Sequence, residues 1–343
     1  MSARIEIDGS EGEGGGQILR SSLALSLITG QPFHLYNIRA GRPKPGLAAQ
    51  HLTCVRAAAA IGSATVRGAS LGSLDLTFDP GEVKAGAYRF DVGTAGSVGL
   101  VLHTVYLPLA LRGQAASEVV VTGGTHVRAS PGFPFLDQTW RVHLKRMGLC
   151  LRLAMSRPGF YPRGGGEVRA TIPSCRLHGV RLTRRGEASR VTGSAVVAGL
   201  DPGIARRMAR AARRGLEAQG LTAEVAEEVV EGGPGCALSL AAGGYATVVP
   251  GERGKPAEKV ASEAVADLVA FLASGAAADL HSGDQLLLPL ALAEGPSEYT
   301  VSEVTRHLRT NAAVIARFVD RAVAVEGEEG KPGAVRVSDG AAV

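Results

Sequence analysis

Only four cysteines occur in this sequence, and Cys54, Cys150, Cys175 and Cys236 stand too far apart to make a CxxC pair. That argues against a zinc site and a disulfide framework and fits a reducing compartment. Aromatic residues make up 4% of the chain, which argues against an RNA-binding sheet built from stacking platforms. No apolar run reaches membrane-spanning length without glycine, proline or charge, and the first residues lack the pattern of a secretory leader. The expectation is a cytoplasmic protein without membrane association. Familiar catalytic signatures are missing too. There is no GxxxxGK[ST] loop, and GERGKPAEK has neither its spacing nor its Ser/Thr. Neither GxSxG nor HExxH occurs, so serine hydrolase and zincin chemistry have no support.

What is present is a globular composition, 45% hydrophobic and 20% charged, long enough for two or more domains. The net charge of +5 is carried by arginine, with 31 Arg against 6 Lys. Arginine suits bidentate phosphate contact, so a polyanionic partner is one reading. A genome rich in Ala, Gly and Arg codons is the other.

The hydrophobic spacing repeats. GGGQILRSSLALSLITG reads as a helix closed by a glycine, PFHLYNIRA as a strand, and KPGLAAQHLTCVRAAAAIG as a second helix, before short strands that end in AYRFDVG. The order returns from GTAGSVGLVLHTVYLPLALRG through SEVVVTGG and the helical PGFPFLDQTWRVHLKRMG to two strands. It returns again from SGDQLLLPLALAEG to a terminal hairpin. Three such units, at about 1–92, 93–183 and 276–343, predict a duplicated α+β fold. The intervening segment, 184–275, has a different order and reads as a small inserted α/β domain. Its first helix opens on Asp201-Pro202 and carries Arg206, Arg207, Arg210, Arg213 and Arg214, either as a solvated face or as an RNA contact.

Polar residues gather in the loops. GEGGGQILRSS sets Glu13 among glycines, with Gln17 and Arg20 on the following turns. The glycines could be a tight turn, or could bare N–H groups for an anion at a helix start. Glu13 could hold a divalent metal bridging phosphates, or complement the helix dipole. IRAGRPKPG clusters Arg39, Arg42 and Lys44, a costly arrangement without an anion, and Gln50 and His51 follow. DLHSGDQLLLPLAL places His281, Asp284 and Gln285 at the start of an apolar helix, where a plain Ser/Asp cap is the alternative. TRHLRTNAAVIARF puts His307 between Arg306 and Arg309, just ahead of Thr310 or Asn311 as the expected N-cap. Two arginines and a helix N-terminus favour a neutral, nucleophilic imidazole; a surface histidine without a role is the alternative.

Taken together, the sequence resembles the RNA 3′-terminal phosphate cyclase family. DGSEGEGGGQILRSSLALSLITGQPF, IRAGRPKPGLAAQHLT, GTAGS, VTGGT, GFYPRGGG, GERGKPAEKVA, DQLLLPLAL and HLRTN carry the resemblance in order, most weakly across the insert. It implies three βαβα-type units similar to translation initiation factor three C-terminal domains, as in enolpyruvyl transferases, with a thioredoxin-like insert. It further implies that ATP and Mg²⁺ or Mn²⁺ convert an RNA 3′-phosphate to a 2′,3′-cyclic phosphate through a histidine–AMP adduct and an RNA(3′)pp(5′)A intermediate. His307 would carry the AMP, and Glu13 the metal. The ATP set would be Glu13, Gln17, His103, Pro131, His281, Ser282, Gly283, Asp284 and Gln285. Arg20, Arg39, Arg42, Lys44, Gln50 and His51 would face RNA and phosphate. His103 stands where many members have glutamine, and His281 where some have tyrosine; Tyr245 is a candidate for stacking on adenine.

Two other readings are set against this one. A non-catalytic, cyclase-like RNA-binding protein of ribosome assembly would lack the histidine of HLRTN, which is present. An enolpyruvyl transferase would need six units. Monomer and homodimer both stay open.

Overall fold

The computed structural model describes residues 4–339. β1 (Ile5–Asp8), α1 (Gly16–Thr29), β2 (Phe33–Tyr36) and α2 (Ala49–Gly62) lead into the pair β3 (Thr65–Arg67) and β4 (Leu76–Asp79). Their sheet runs β1-β2-β4-β3, parallel in the first pairing and antiparallel in the other two. Parallel neighbours require a crossover, which α1 supplies, whereas a turn suffices for the hairpin.

The next stretch repeats this order. β5 (Ala87–Asp91), α3 (Val98–Arg112) and β6 (Ser117–Gly123) precede a helical segment and then β7 (Arg152–Arg157) and β8 (Gly166–Ile172). That segment is interrupted: α4 (Phe133–Phe135) passes through a π turn, Leu136–Trp140, into α5 (Arg141–Arg146). The sheet order is β5-β6-β8-β7, with the same senses. Sequence spacing groups AYRFDVG with the first unit; in the structure its strand pairs in parallel with β6 and opens the second sheet.

A two-residue strand, β9 (Arg181–Leu182), comes next. The chain then forms a separate sheet from β10 (Arg190–Ala198), β11 (Thr222–Val230), β12 (Gly235–Ala242) and β13 (Tyr245–Pro250). α6 (Gly203–Glu217) and α7 (Ala257–Ser274) pack on each other and on this sheet. Pro202 occupies the cap position of α6, one residue later than the sequence suggests, and the Asp201 carboxylate accepts from Gly203 N at 2.8 Å. α8 (Leu280–Ala291), β14 (Ser297–Val301), α9 (Arg306–Ile315), β15 (Val323–Glu326) and β16 (Gly333–Val337) then complete the order β9-β14-β16-β15, again with one parallel and two antiparallel pairings. This third sheet therefore takes its first strand from before the 184–275 segment. The fold is α+β, with several small mixed sheets.

Helices fill the centre. α1 packs against α2, α3 and α9, and α8 against α9. Leu19, Leu23, Leu25 and Ile28 of α1 are all buried, since neighbours surround this helix on nearly every side. Truncating Leu23 to Ala should cost about 2–5 kcal/mol. The sheets turn one face to these helices and the other to water, as the alternating burial of β2 and β8 shows. Gly30, at φ 73°, closes α1. Among the described residues no helix is long and apolar enough to cross a membrane.

Candidate active site at converging helix starts

The starts of α1, α2, α8 and α9 meet, and each brings N–H groups with no partner inside its helix and the positive end of its dipole. Glycine is required at this junction. Gly12, at φ 57°, lies against Thr310, and a Cβ there would strike its hydroxyl. A Cβ at Gly15 would strike the Glu13 carboxylate, and one at Gly16 the His51 ring. The glycines make room for the site's own side chains.

α9 begins earlier than the sequence suggests. Thr305, not Thr310 or Asn311, is the N-cap, and its hydroxyl accepts from Leu308 N at 3.1 Å. The Thr310 hydroxyl accepts from Glu13 N at 2.9 Å and donates to Arg306 O at 2.8 Å. His307 thus sits within the first turn, and Asn311, four residues on, shares its face. Asn311 donates to Asp284 O at 2.8 Å and accepts the Ser21 hydroxyl at 2.7 Å, which locks α1, α8 and α9 together.

Gln17 links the charged groups. Its Nε2 donates to Asp284 Oδ2 at 2.5 Å, and its Oε1 lies 2.8 Å from His307 Nδ1. An amide oxygen only accepts, so Nδ1 carries the proton and Nε2 keeps its lone pair. That Nε2 faces Glu13 Oε1 at 3.5 Å, with the His307 side chain 50% exposed and that of Glu13 10% exposed. Two acceptors face each other there, and Glu13 Oε1 is also paired with Arg42. Glu13 Oε2 is buried without a partner. A lone buried carboxylate oxygen fits a divalent cation whose other ligands come from substrate phosphates. The described residues contain no cluster of three or more His, Cys, Asp or Glu that would cage a metal unaided.

The electrostatics follow from burial. His307 is held below the ordinary histidine range by desolvation, helped by Arg20, Arg42 and His281, so the imidazole is neutral. His51 is pushed down to about 3 by burial beside Arg20 and Arg39. Asp284 is raised to about 7 because it is desolvated, with Arg20 opposing the rise. Burial also lowers Arg20 itself, which makes no hydrogen bond or ion pair among the described residues. A guanidinium left so is a binding site for an anion.

Other candidate residues lie around this centre. Arg39, at φ 54°, donates to Gly46 O at 2.6 Å and closes the arginine loop, while Lys44 is exposed. Gln50 Oε1 accepts from Ser97 N at 3.1 Å and ties α2 to the start of α3. Pro131 would be met by a Cβ at Gly99, near that same start. His103, lowered to about 3 by burial and Arg20, has its ring 4.6 Å from Trp140 and an unpartnered Nε2. His281 is exposed beside Phe135, and Gln285 Oε1 is buried without a partner. Ser282 and Gly283 are buried in α8: the Ser282 hydroxyl is bound to Asp279, and Gly283 O accepts from Tyr299 at 2.7 Å. Neither the Ser282 hydroxyl nor the Gly283 carbonyl is left without a partner. Tyr245 is also buried, with its hydroxyl 2.7 Å from Asp267, so its ring is committed to packing around β13.

Ser21, Thr310 and Asn311 were not legible as site residues. A cap at Thr305 would have exposed the His307–Asn311 spacing.

Residues 11–325 match the family model described as RNA 3'-terminal phosphate cyclase. A protein named RNA 3'-terminal phosphate cyclase from Ralstonia nicotianae is 48% identical over 94% of each chain. Proteins of that name from Archaeoglobus fulgidus and Salmonella typhimurium are each 44% identical, over 95% and 99% of this chain and 98% and 100% of their own. Among solved structures, the enolpyruvyl transferase NikO from Streptomyces tendae is similar at 12% identity and a TM-score of 0.35, over 98% of this chain and 48% of that one. At that score the strand order, rather than the neighbour, carries the fold. With the full-length relatives and the matched span together, the chain belongs to the RNA 3'-terminal phosphate cyclase family.

Proposed function

We propose that the protein uses ATP to convert an RNA 3′-terminal phosphate to a 2′,3′-cyclic phosphate. The observation that carries this is the Asp284–Gln17–His307 chain, which leaves Nε2 unprotonated at a meeting of helix starts suited to polyphosphate. His307 Nε2 attacks the ATP α-phosphorus, the bond to pyrophosphate breaks, and AMP is left on the imidazole. The positive charge that develops on the ring is stabilised through Gln17 by ionised Asp284. An oxygen of the RNA 3′-phosphate then takes the AMP, freeing His307 and forming RNA(3′)pp(5′)A. The neighbouring 2′-hydroxyl attacks the terminal RNA phosphorus, loses its proton and expels AMP.

Arg20, Arg39, Arg42 and Lys44 would neutralise phosphate oxygens, with Gln50 and His51 alongside. His103, Pro131 and the His281–Gln285 turn would bound the nucleotide. Mg²⁺ or Mn²⁺ held at Glu13 would withdraw charge from the phosphoryl oxygens. In this reading 1–183 and 276–343 form the catalytic domain, and 184–275 a thioredoxin-like insert. Work on RNA ends also suits a cytoplasmic location.

The test is labelling with [α-³²P]ATP. Acid-labile, alkali-stable AMP should appear on the protein and discharge onto RNA with a 3′-phosphate but not a 3′-hydroxyl. His307→Ala should abolish both label and cyclisation; a variant that still takes up label overturns the assignment.

A further inference from the structure

The turn from Phe160 to Gly164 is anchored at both ends. The Phe160 ring is buried 5.3 Å from that of His126, and a Cβ at Gly235 of β12 would strike it. Gly159 N donates to the Thr125 hydroxyl at 2.8 Å, and Gly164 N to Phe160 O at 2.7 Å. Gly164 is at φ 67°, and a Cβ there would run into Thr94 O. Between these anchors Tyr161 is 79% exposed, the only exposed Phe, Trp or Tyr among the described residues. Arg163 is exposed beside it and makes no hydrogen bond or ion pair among the described residues.

The turn connects to the site. Gly164 lies against Thr94 and Ala95, Gly96 of the same loop lies against Gln50, and the next residue, His51, lies against Gly16 at the start of α1. A chain with so few aromatics has put one in water, on a rigid support, beside a free guanidinium, on a turn that packed loops connect to the phosphate site. Apolar rings are ordinarily buried, so this arrangement points to a ligand with a π-face and a negative charge.

We propose that Tyr161 stacks on a base of the RNA upstream of its two 3′-terminal nucleotides while Arg163 binds a neighbouring backbone phosphate. This rests on the cyclase reading above. Stacking on a tyrosine tolerates any base, so the contact would set the length of RNA engaged rather than its sequence.

The test compares a 3′-phosphorylated octaribonucleotide with a 3′-phosphorylated dinucleotide. Tyr161→Ala should raise KM for the octamer about tenfold, Tyr161→Phe should leave it unchanged, and Arg163→Ala should weaken its dependence on salt. AMP labelling and the KM for the dinucleotide should not move. An octamer KM unchanged in Tyr161→Ala, or an equal rise for the dinucleotide, overturns the proposal while labelling and cyclisation by the unaltered protein uphold the cyclase reading. Absence of label on the unaltered protein overturns the cyclase reading, and this proposal with it.

Discussion

Gln17 holds His307 and Asp284 apart and in register: one end of its amide accepts from the imidazole at 2.8 Å and the other donates to the carboxylate at 2.5 Å. The amide is asymmetric, so the direction of the chain depends on which end group can accept. With Asp284 ionised, only one orientation satisfies all three, and it is the one that leaves Nε2 free.

Gln17→Ala should therefore slow formation of the protein–AMP adduct on the order of 100-fold, the penalty expected when a reacting imidazole loses the partner that fixes its tautomer. Single-turnover labelling separates this from loss of ATP binding. If ATP binds normally and the adduct forms at the usual rate, Gln17 does not set the tautomer.

Asp284 predicts the pH dependence. Its carboxyl is raised to about 7, and once protonated it can donate to Gln17; the amide then reverses, and the proton moves to Nε2. His307 is already neutral there, so the adenylation rate should climb with pH through about 7 on account of Asp284. Asp284→Asn should remove that limb and lower the plateau. The same shift has a stability sign. Between the ordinary value of 3.8 and about 7 the native state binds a proton that the unfolded chain does not. Ionised Asp284 thus destabilises the fold above pH 7, and the cost vanishes below about pH 4. Asp284→Asn should be stabilised on the order of 4 kcal/mol at pH 8 relative to the unaltered protein, and not at pH 4, in paired urea titrations.

Most of this was legible where local rules decide the outcome. The glycine C-cap of α1, the helix N-terminus next to Asp201, and the arrangement of helices and strands follow from spacing and turn residues. AYRFDVG was grouped with the wrong sheet because strand pairing is not encoded locally: a strand's own pattern says which face is buried, not which neighbour it joins. The start of α9 was misplaced because Thr305, Thr310 and Asn311 all suit a cap, and the choice is made by Glu13, whose N–H claims the Thr310 hydroxyl from 297 residues away. His307 and Glu13 could be singled out by type and neighbours. The bridge from His307 through Gln17 to Asp284 could not, since it exists only once three helix starts meet.

Four other histidines should govern behaviour in acid. Burial holds His51 and His103 at about 3 and His126 and His143 at about 4. An unfolded chain takes up their protons from about pH 6.5 downward while the native state does not, so stability falls as pH falls below that value. Each contributes about 2 kcal/mol of loss by pH 5. His126→Asn, which keeps a partner for Thr125 without a titrating group, should flatten the fall between pH 7 and 5. An unchanged slope in urea unfolding would show that His126 is not buried in neutral form.

Arg20 provides the sharpest separation of electrostatics from binding. It depresses His307, His51 and His103 and opposes the rise at Asp284, yet makes no hydrogen bond or ion pair of its own among the described residues. Arg20→Lys keeps the charge but not the planar fork, so it should weaken ATP use while leaving the adenylation limb near pH 7. Arg20→Ala removes both, so Asp284 loses its nearby cation and the limb should move upward in pH. A merely structural arginine would behave differently: both variants would lose thermal stability, and the limb would stay in place. Measuring labelling rate against pH for the two variants, with melting temperature alongside, decides between these outcomes. A limb that stays near pH 7 in Arg20→Ala would mean that Arg20 does not tune the Asp284–Gln17–His307 chain.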